Sequence, residues 1–502
     1  MLVKIMKQEN IKLIGALTSK PYAFSARSWE LENLDFVDFY DSLLSNISID
    51  LRGLSVMRVL PRINEQLNEE WISDKIRFSY DGFRRQRLLS PMIKNMDLKT
   101  YEEVSWEEAF FNFYLNLSLV YFDYISIGQK VDKVLEIIYG KFLDLESLNS
   151  SKTFFKNFNN LKTISNFQEG GYSFNDFNFN YLSSLKISEM NLVDFFFLIN
   201  SNIRYENPIL NLKISRSANQ GSYVFSFGCP SNIRIKTYSL GNSLSNFINF
   251  LKGKSKYSLI LSKSKKSLVI IGQSLRQRLD FSNFFNLLKV WNKNLHLMFT
   301  YVNPSFIGSL ALGLSSNNSV NSSMNSVGNM LYLYNADDIF IKDTKKYKYI
   351  VYQGHHGDYG ASISNLILPS TFLLEKKGTF LNMEGYVVNY NFIIKPGHLV
   401  RTDWRIFSAL SLFLKKSIKS NLFNTFNDVI VSFSDILPEY IKKRLSMINY
   451  NNINNFNNIN VKFYNSVFYS NYIEYFLSDS ISRASRVMSV AASKFKNYFF
   501  NF

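Results

Sequence analysis

The sequence predicts an α/β chain with parallel sheets, preceded by a small β-rich segment. Three observations carry this. Apolar runs of strand length recur and end in polar or Gly-containing loops: DFFFLIN (Asp194–Asn200), SLVIIG (Ser267–Gly272), MLYLY (Met330–Tyr334) and YKYIVYQ (Tyr347–Gln353). Near-continuous apolar runs suit parallel strands covered on both faces. Helical patterns such as Phe281–Leu297 lie between them, and this alternation is that of a doubly wound sheet with ligand crevices at the C-terminal strand ends. Before Pro91 the segments are shorter and alternate, which gives the β-rich part.

Taken in order, SIDLRGLSVMR (Ser48–Arg58) reads as two strands around a turn at Arg52-Gly53. NEEWISDKIRF (Asn68–Phe78) is a polar turn region, and Pro91 closes this part. In EEVSWEEAF (Glu102–Phe110), Ser105 caps a helix and Glu108 completes a capping box. FFNFYLNLSLVYFDY (Phe110–Tyr124) then reads as a buried helix. It is short and interrupted by Asn112 and Asn116, so it is no membrane span. Ser315–Asn329 and the Asn-rich run Asn451–Asn460 read as exposed loops. From Ser478 the pattern is helical, a surface-docked segment. The expected divisions are 1–91, 92–440 and 441–502.

Composition bounds the function. With 502 residues and 46% hydrophobic content the chain can bury a large core. Its 1 Cys, Cys229, excludes an internal disulfide and any iron–sulfur or zinc site built from its own thiolates. The charge of +17, from 57 Lys+Arg against 40 Asp+Glu, invites a nucleic-acid reading. The excess lies in Lys, Asn, Ile, Phe and Tyr, which A- and T-rich codons specify. The tightest basic clusters, FRRQR (Phe83–Arg87) and the Lys263, Lys265, Lys266 group, belong to no recognition module. Solvated faces and acidic neighbours account for them better.

Local chemistry is sparse. Gly354, Gly357 and Gly360 in GHHGDYG follow a strand-like run, but their spacing differs from G-x-G-x-x-G, and a tight packing loop is favoured over a phosphate cradle. His355, His356 and Asp358 are metal-ligand types, yet adjacent residues on extended backbone face opposite ways and cannot easily reach one ion, so hydrogen-bonded loop histidines are favoured. Asp337 and Asp338 suit a ribose or metal ligand, or equally a polar strand end. Cys229 has no nearby base and reads as a small buried hydrophobe.

Five segments in order resemble a known family. They are GALTSKPYAFSARSWEL (Gly15–Leu31), Ser45–Leu88 with FFFLINSNIRYENPILNLKI (Phe195–Ile214), IVYQGHHGDYGASISNLILPSTFLLEKKGTFLNMEGY (Ile350–Tyr386) and RTDWRIFSALS (Arg401–Ser411). Together they are similar to the large iron–sulfur subunit of respiratory complex I, NADH dehydrogenase subunit 11. Little beyond about residue 415 matches. The resemblance implies a multi-subdomain molybdopterin-oxidoreductase-like fold that has lost its pterin cofactor and serves as structure. Relatives carry a cluster-ligating cysteine and a proline where this sequence has Lys12 and Leu13.

From this resemblance we expect a structural core subunit in the matrix arm of a mitochondrial NADH:ubiquinone oxidoreductase, without a redox centre, catalytic residue or metal of its own. The iron–sulfur clusters (2Fe-2S and 4Fe-4S) are expected on a separate cysteine-rich N-terminal half, and FMN elsewhere in the complex. That half would dock at Gly15, Lys20, Tyr22, Phe24, Arg27 and Trp29, alongside other matrix-arm subunits, with no nucleic acid and no membrane span. The missing presequence and AT-biased composition suggest a gene in the mitochondrial genome. The alternatives are an active molybdopterin oxidoreductase and a basic organellar RNA-binding protein.

Overall fold

The structure is a computed structural model that describes residues 19–95, 97–126, 135–156, 163–167, 180–229, 233–255, 257–276, 278, 280–291, 295–314, 329–337, 347–414, 425–434, 468 and 475–500. In chain order the strands are β1 (Glu32–Val37), β2 (Asn46–Arg52), β3 (Ser55–Pro61), β4 (Met92–Lys94), β5 (Tyr101–Glu103), β6 (Leu135–Tyr139), β7 (Thr163–Phe167), β8 (Phe195–Ile199), β9 (Tyr223–Phe227), β10 (Tyr238–Ser239), β11 (Ser267–Ile271), β12 (Leu295–Phe299), β13 (Asn329–Tyr334), β14 (Tyr347–Gly354), β15 (Leu366–Pro369), β16 (Gly378–Leu381) and β17 (Val387–Tyr390). The helices that matter below are α1 (Trp106–Ser126), α2 (Leu145–Lys156), α3 (Asp403–Phe413) and α4 (Arg486–Phe500).

Two sheets are built on parallel strands, as the apolar runs predict. One has the order β5-β4-β15-β14-β13-β6-β7, parallel from β15 to β7, with β4 and β5 added antiparallel at one edge. The other has the order β10-β9-β8-β11-β12, all parallel. In β8 and β11 every residue is buried. Strands hidden on both faces have no polar side to alternate with, hence FFFLI and SLVII.

β1, β2 and β3 form an antiparallel meander that turns at Arg52-Gly53, and the Ser105–Glu108 capping box is present at the start of α1. The meander does not keep a core to itself. Phe36, Phe39, Ile47 and Ile49 pack in one apolar cluster with Phe142, Phe372, Phe380 and Tyr390 of the α/β body. The rings of Phe36 and Tyr390 meet edge-on at 5.3 Å.

Three expectations need correction. The helical pattern at 281–297 ends at Trp291, and Leu295–Phe299 is instead β12, held by its register with β11. The polar turn region 68–78 ends in a short helix, Asp74–Phe78, whose first turn is capped by Ser73. α1 is buried on one face only, because its other apolar face meets no part of the sheet it lies on. Of the two expected loops, 451–460 and all of 315–329 except Asn329 lie outside the described residues, and Asn329 is the first residue of β13.

The C-terminal segment is fastened between the two parts. The Asp479 carboxylate forms an ion pair with Lys75 at 2.8 Å, both side chains being buried. Burial disfavours its charge, yet Lys75 and then Lys141 hold Asp479 well below the usual carboxylate range. Lys141 donates to the Ser478 carbonyl at 2.8 Å, and Arg483 pairs with Asp358 at 2.6 Å. Asp81 accepts from the Arg486 N–H at 2.9 Å, so the N-terminal part supplies the cap of α4.

Replacing Lys75 by Met leaves the Asp479 carboxylate buried without its nearest cation. We expect a loss of about 3 kcal/mol by chemical denaturation, with early hydrogen exchange at 478–500. Asp81→Ala removes the cap of α4 together with the Ser485 hydroxyl bond and the exposed Arg85 pair, and is expected to cost about 1–2 kcal/mol.

Candidate functional site

In both sheets the place to look for a ligand is where strand order reverses, beyond the C-terminal strand ends. In the seven-stranded sheet that point lies between β6 and β13. Here the crevice is closed by the backbone. Gly140 donates to the Tyr334 carbonyl at 2.8 Å, and a Cβ on Gly140 would fall 1.8 Å from the Asn335 carbonyl oxygen. Asn335 accepts the left-handed conformation, φ +52°, that brings its carbonyl there. The five-stranded sheet repeats the device between β8 and β11. A Cβ on Gly272 would fall 2.2 Å from the carbonyl oxygen of Asn200, at φ +46°.

Buried polar side chains fill the space around the first switch point. Asp144 precedes α2 and Asp403 begins α3, so both carboxylates sit at helix N-termini, where the peptide dipoles favour negative charge. Lys376, in the loop before β16, reaches between them. Its ammonium lies 3.0 Å from Asp144, 2.9 Å from Asp403 and 2.9 Å from the Ser147 hydroxyl. Burial alone would lower the Lys376 pKa, but the two carboxylates raise it above its ordinary value.

The remaining oxygens are also taken. Tyr390 donates to Asp144 at 3.0 Å, the Gln353 amide donates to Asp403 at 2.8 Å, and Tyr332 donates to Gln353. Glu146 accepts from the backbone and hydroxyl of Thr379 at 2.9 and 3.0 Å. Burial, reinforced by the Asp144 charge, pushes Glu146 up to about 8.

The GHHGDYG loop continues this cluster. Its tight-loop reading holds, since only a five-residue helix, Tyr359–Ile363, follows. His355 and His356 are the hydrogen-bonded loop histidines expected over a metal pair, but they do not face apart. The loop leaves extended geometry after β14, and the two rings meet with Nδ1 atoms 2.5 Å apart. His356 Nε2 donates to the Gly82 carbonyl at 3.1 Å, which makes its Nδ1 the acceptor and His355 Nδ1 the donor. Burial and the neighbouring Arg87 keep His356 neutral, its pKa lowered to about 3. Burial, His356, Arg87 and Lys376 lower His355 as well. Arg87 donates to the His355 carbonyl at 2.9 Å and pairs with Glu375 at 2.5 Å.

The other sequence candidates are dispersed. Asp337 accepts from Tyr352 at 2.8 Å, and Asp338 lies outside the described residues. Cys229 is half-buried, and its backbone N–H bonds Asn200. Arg84 bonds Ser55 and Arg85 pairs with Asp81. Lys266 pairs with Glu189 at 2.8 Å, so these three cations of the basic clusters have acidic or polar neighbours in the chain. No group of three or more metal-ligating side chains occurs among the described residues.

Of the segment expected to meet a partner, Gly15 lies outside the described residues. Lys20, Phe24, Arg27 and Trp29 are exposed. Tyr22 is buried under the Arg58 guanidinium, 4.7 Å from its ring, and so ties the segment to β3. Sequence reasoning missed Lys376, Asp144 and Asp403. Their only signal was charge placed beside strand and helix ends.

Comparison with known proteins agrees with this anatomy. A family model described as molybdopterin oxidoreductase matches residues 87–412. A second, described as NADH-ubiquinone oxidoreductase NDSU1/NuoG-like, 4Fe-4S domain, matches residues 31–81. The chain is 36% identical to the NADH-ubiquinone oxidoreductase 75 kDa subunit of Reclinomonas americana, over 96% of this chain and 71% of that protein. It is 33% identical to the 75 kDa subunit of Acanthamoeba castellanii (97% and 70%) and 32% identical to the mitochondrial 78 kDa subunit of Candida albicans (96% and 67%). Coverage of 96% runs well past residue 415, so the similarity extends into the C-terminal segment.

The groups these descriptions imply do not fit the residues present. Residues 31–81 contain no Cys and no His, and a cluster needs thiolate or imidazole ligands. At the switch point of the molybdopterin-type sheet, the crevice is occupied by Gly140, Asn335 and the Lys376 network.

Lys376→Met leaves Asp144 and Asp403 buried and unpaired, and we expect a loss of about 3–5 kcal/mol by urea titration. Glu146 gives a pH test. Its folded pKa lies above the unfolded one, so the unfolded chain gives up this proton first and stability falls as pH rises from about 4.5 to about 8. Glu146→Gln should flatten that part of the profile, read as the difference from the parent melting curve across the window.

Proposed function

The chain belongs to the family of the NADH-ubiquinone oxidoreductase 75 kDa subunit, and we propose on that premise that it is a scaffold of the peripheral arm. In this reading it supports electron transfer from NADH to ubiquinone within the complex and holds no redox centre itself. The observation that carries the scaffold role is the closed switch point, where a Cβ on Gly140 has no room and the one lysine reaching in is saturated by its own carboxylates. An active molybdopterin enzyme needs that space open. An RNA-binding role needs free basic stripes, whereas Arg87, Arg85 and Lys266 are paired within the chain.

The thiolates for the iron–sulfur clusters are then supplied by a separate cysteine-rich polypeptide, which docks on the segment around Lys20, Phe24, Arg27 and Trp29. Phe24 supports this choice. It holds a positive φ of +61° while its ring stays exposed, and Arg27 covers the Trp29 ring at 5.4 Å. Large exposed aromatics are what interface anchors look like before the partner arrives. The location proposed is the matrix side of the mitochondrial inner membrane, with a gene in the organelle. No helix among the described residues is long and apolar enough to cross a membrane.

Tagged and purified from its native membranes, the chain should co-sediment with NADH:ubiquinone reductase activity and with a distinct cysteine-rich polypeptide. The double variant Phe24→Ala, Trp29→Ala should lower recovery of that polypeptide about tenfold. Finding the cluster cysteines on one continuous polypeptide with this chain would refute the split. Absence of reductase activity from the purified material would refute the assignment to the complex.

A further inference from the structure

α1 is apolar on both of its faces. Ala109, Phe110, Phe113, Leu117 and Val120 are buried toward β13, β14 and β15, with Phe113 edge-on to Tyr332 at 6.3 Å. On the opposite face Phe111, Tyr114, Leu115, Leu119 and Phe122 are between 40% and 64% exposed. These recur at helical spacing and run about 16 Å along the axis. Phe413, at the end of α3 and itself exposed, lies 6.4 Å from Phe110. A helix that is apolar all round belongs in an interior, and a contiguous apolar patch on a surface marks a contact site.

The charges around the patch choose the occupant. Residues 101–126 contain no Lys or Arg, in a chain of net charge +17. Glu102, Glu103, Glu107 and Glu108 are all exposed at or before the start of the helix. We propose that the outer face of α1 docks an amphipathic helix from a neighbouring subunit of the same complex, apolar along its length and carrying Lys or Arg at the end that meets Glu107 and Glu108. This rests on the chain being a subunit of that complex. A second copy of the chain would bring no cation on α1 to those acids. An anionic membrane surface would be repelled by them. A basic helix gains both the apolar contact and the charge match.

The test uses the full chain in its complex and as the free protein. The variant Phe111→Ser, Leu119→Ser, Phe122→Ser should leave the melting temperature of the free chain within about 2 °C of the parent. Its co-sedimentation with the complex should fall about tenfold. Glu107→Lys, which leaves the Ser105–Glu108 capping box in place, should weaken co-sedimentation less, and increasingly so at low salt. Undiminished co-sedimentation of the triple variant overturns the proposal. So does a drop of more than about 5 °C in the free chain, which would show the face already covered by this chain, or loss of a self-dimer. If the parent chain itself fails to co-sediment with the complex, the functional assignment is what fails.

Discussion

The Lys376 ammonium is the charge on which the centre of the molecule depends. It bridges the first turns of α2 and α3 through Asp144 and Asp403, and these helices flank the same sheet end. Two carboxylates at helix N-termini are favoured by the dipoles but still cost much to bury together. One lysine between them makes the arrangement tolerable, and only when every remaining lone pair has a donor, as Tyr390, Ser147 and Gln353 provide. Loss of any one partner would leave a buried charge uncompensated.

Closure at this point connects packing to function. A doubly wound sheet ordinarily offers its switch point to a ligand. In this chain both switch points are stitched by a glycine against a left-handed asparagine, Gly140 with Asn335 and Gly272 with Asn200. The second sheet adds a buried arginine, Arg276, stacked 4.1 Å over Tyr301. The chain keeps the architecture of the molybdopterin oxidoreductase model it matches, with tight backbone contacts and a buried ion network at its strand ends. The N-terminal meander shares its apolar cluster with Phe372 and Tyr390, and Lys75 and Asp81 hold the C-terminal segment. The meander, the α/β body and the C-terminal segment are therefore packed and paired with one another.

Much of this was legible in the sequence. FFFLI and SLVII read as doubly covered strands because burial on two faces leaves no alternation, and the capping box at Ser105 is a local rule obeyed locally. What failed was non-local. Phe281–Leu297 keeps a helical pattern of apolar residues, and only the pairing of Leu295–Phe299 with β11 divides it. The outward face of α1 looked buried because apolarity records that a face will be covered without saying by which chain. The His355–His356 contact depends on where the backbone turns after β14, and a dipeptide cannot show that. Asp144, Lys376 and Asp403 lie too far apart in sequence for any motif to join them.

Elemental and pterin analysis of the chain, separated from its complex under native conditions, tests the scaffold account most directly. The account predicts well under one atom of iron and of molybdenum per chain and no extractable pterin, together with a cooperative unfolding transition. About four iron atoms per chain would contradict it, because residues 31–81 hold no Cys or His to bind them; one molybdenum with pterin would contradict it, because it would need the space that Gly140 and Lys376 occupy.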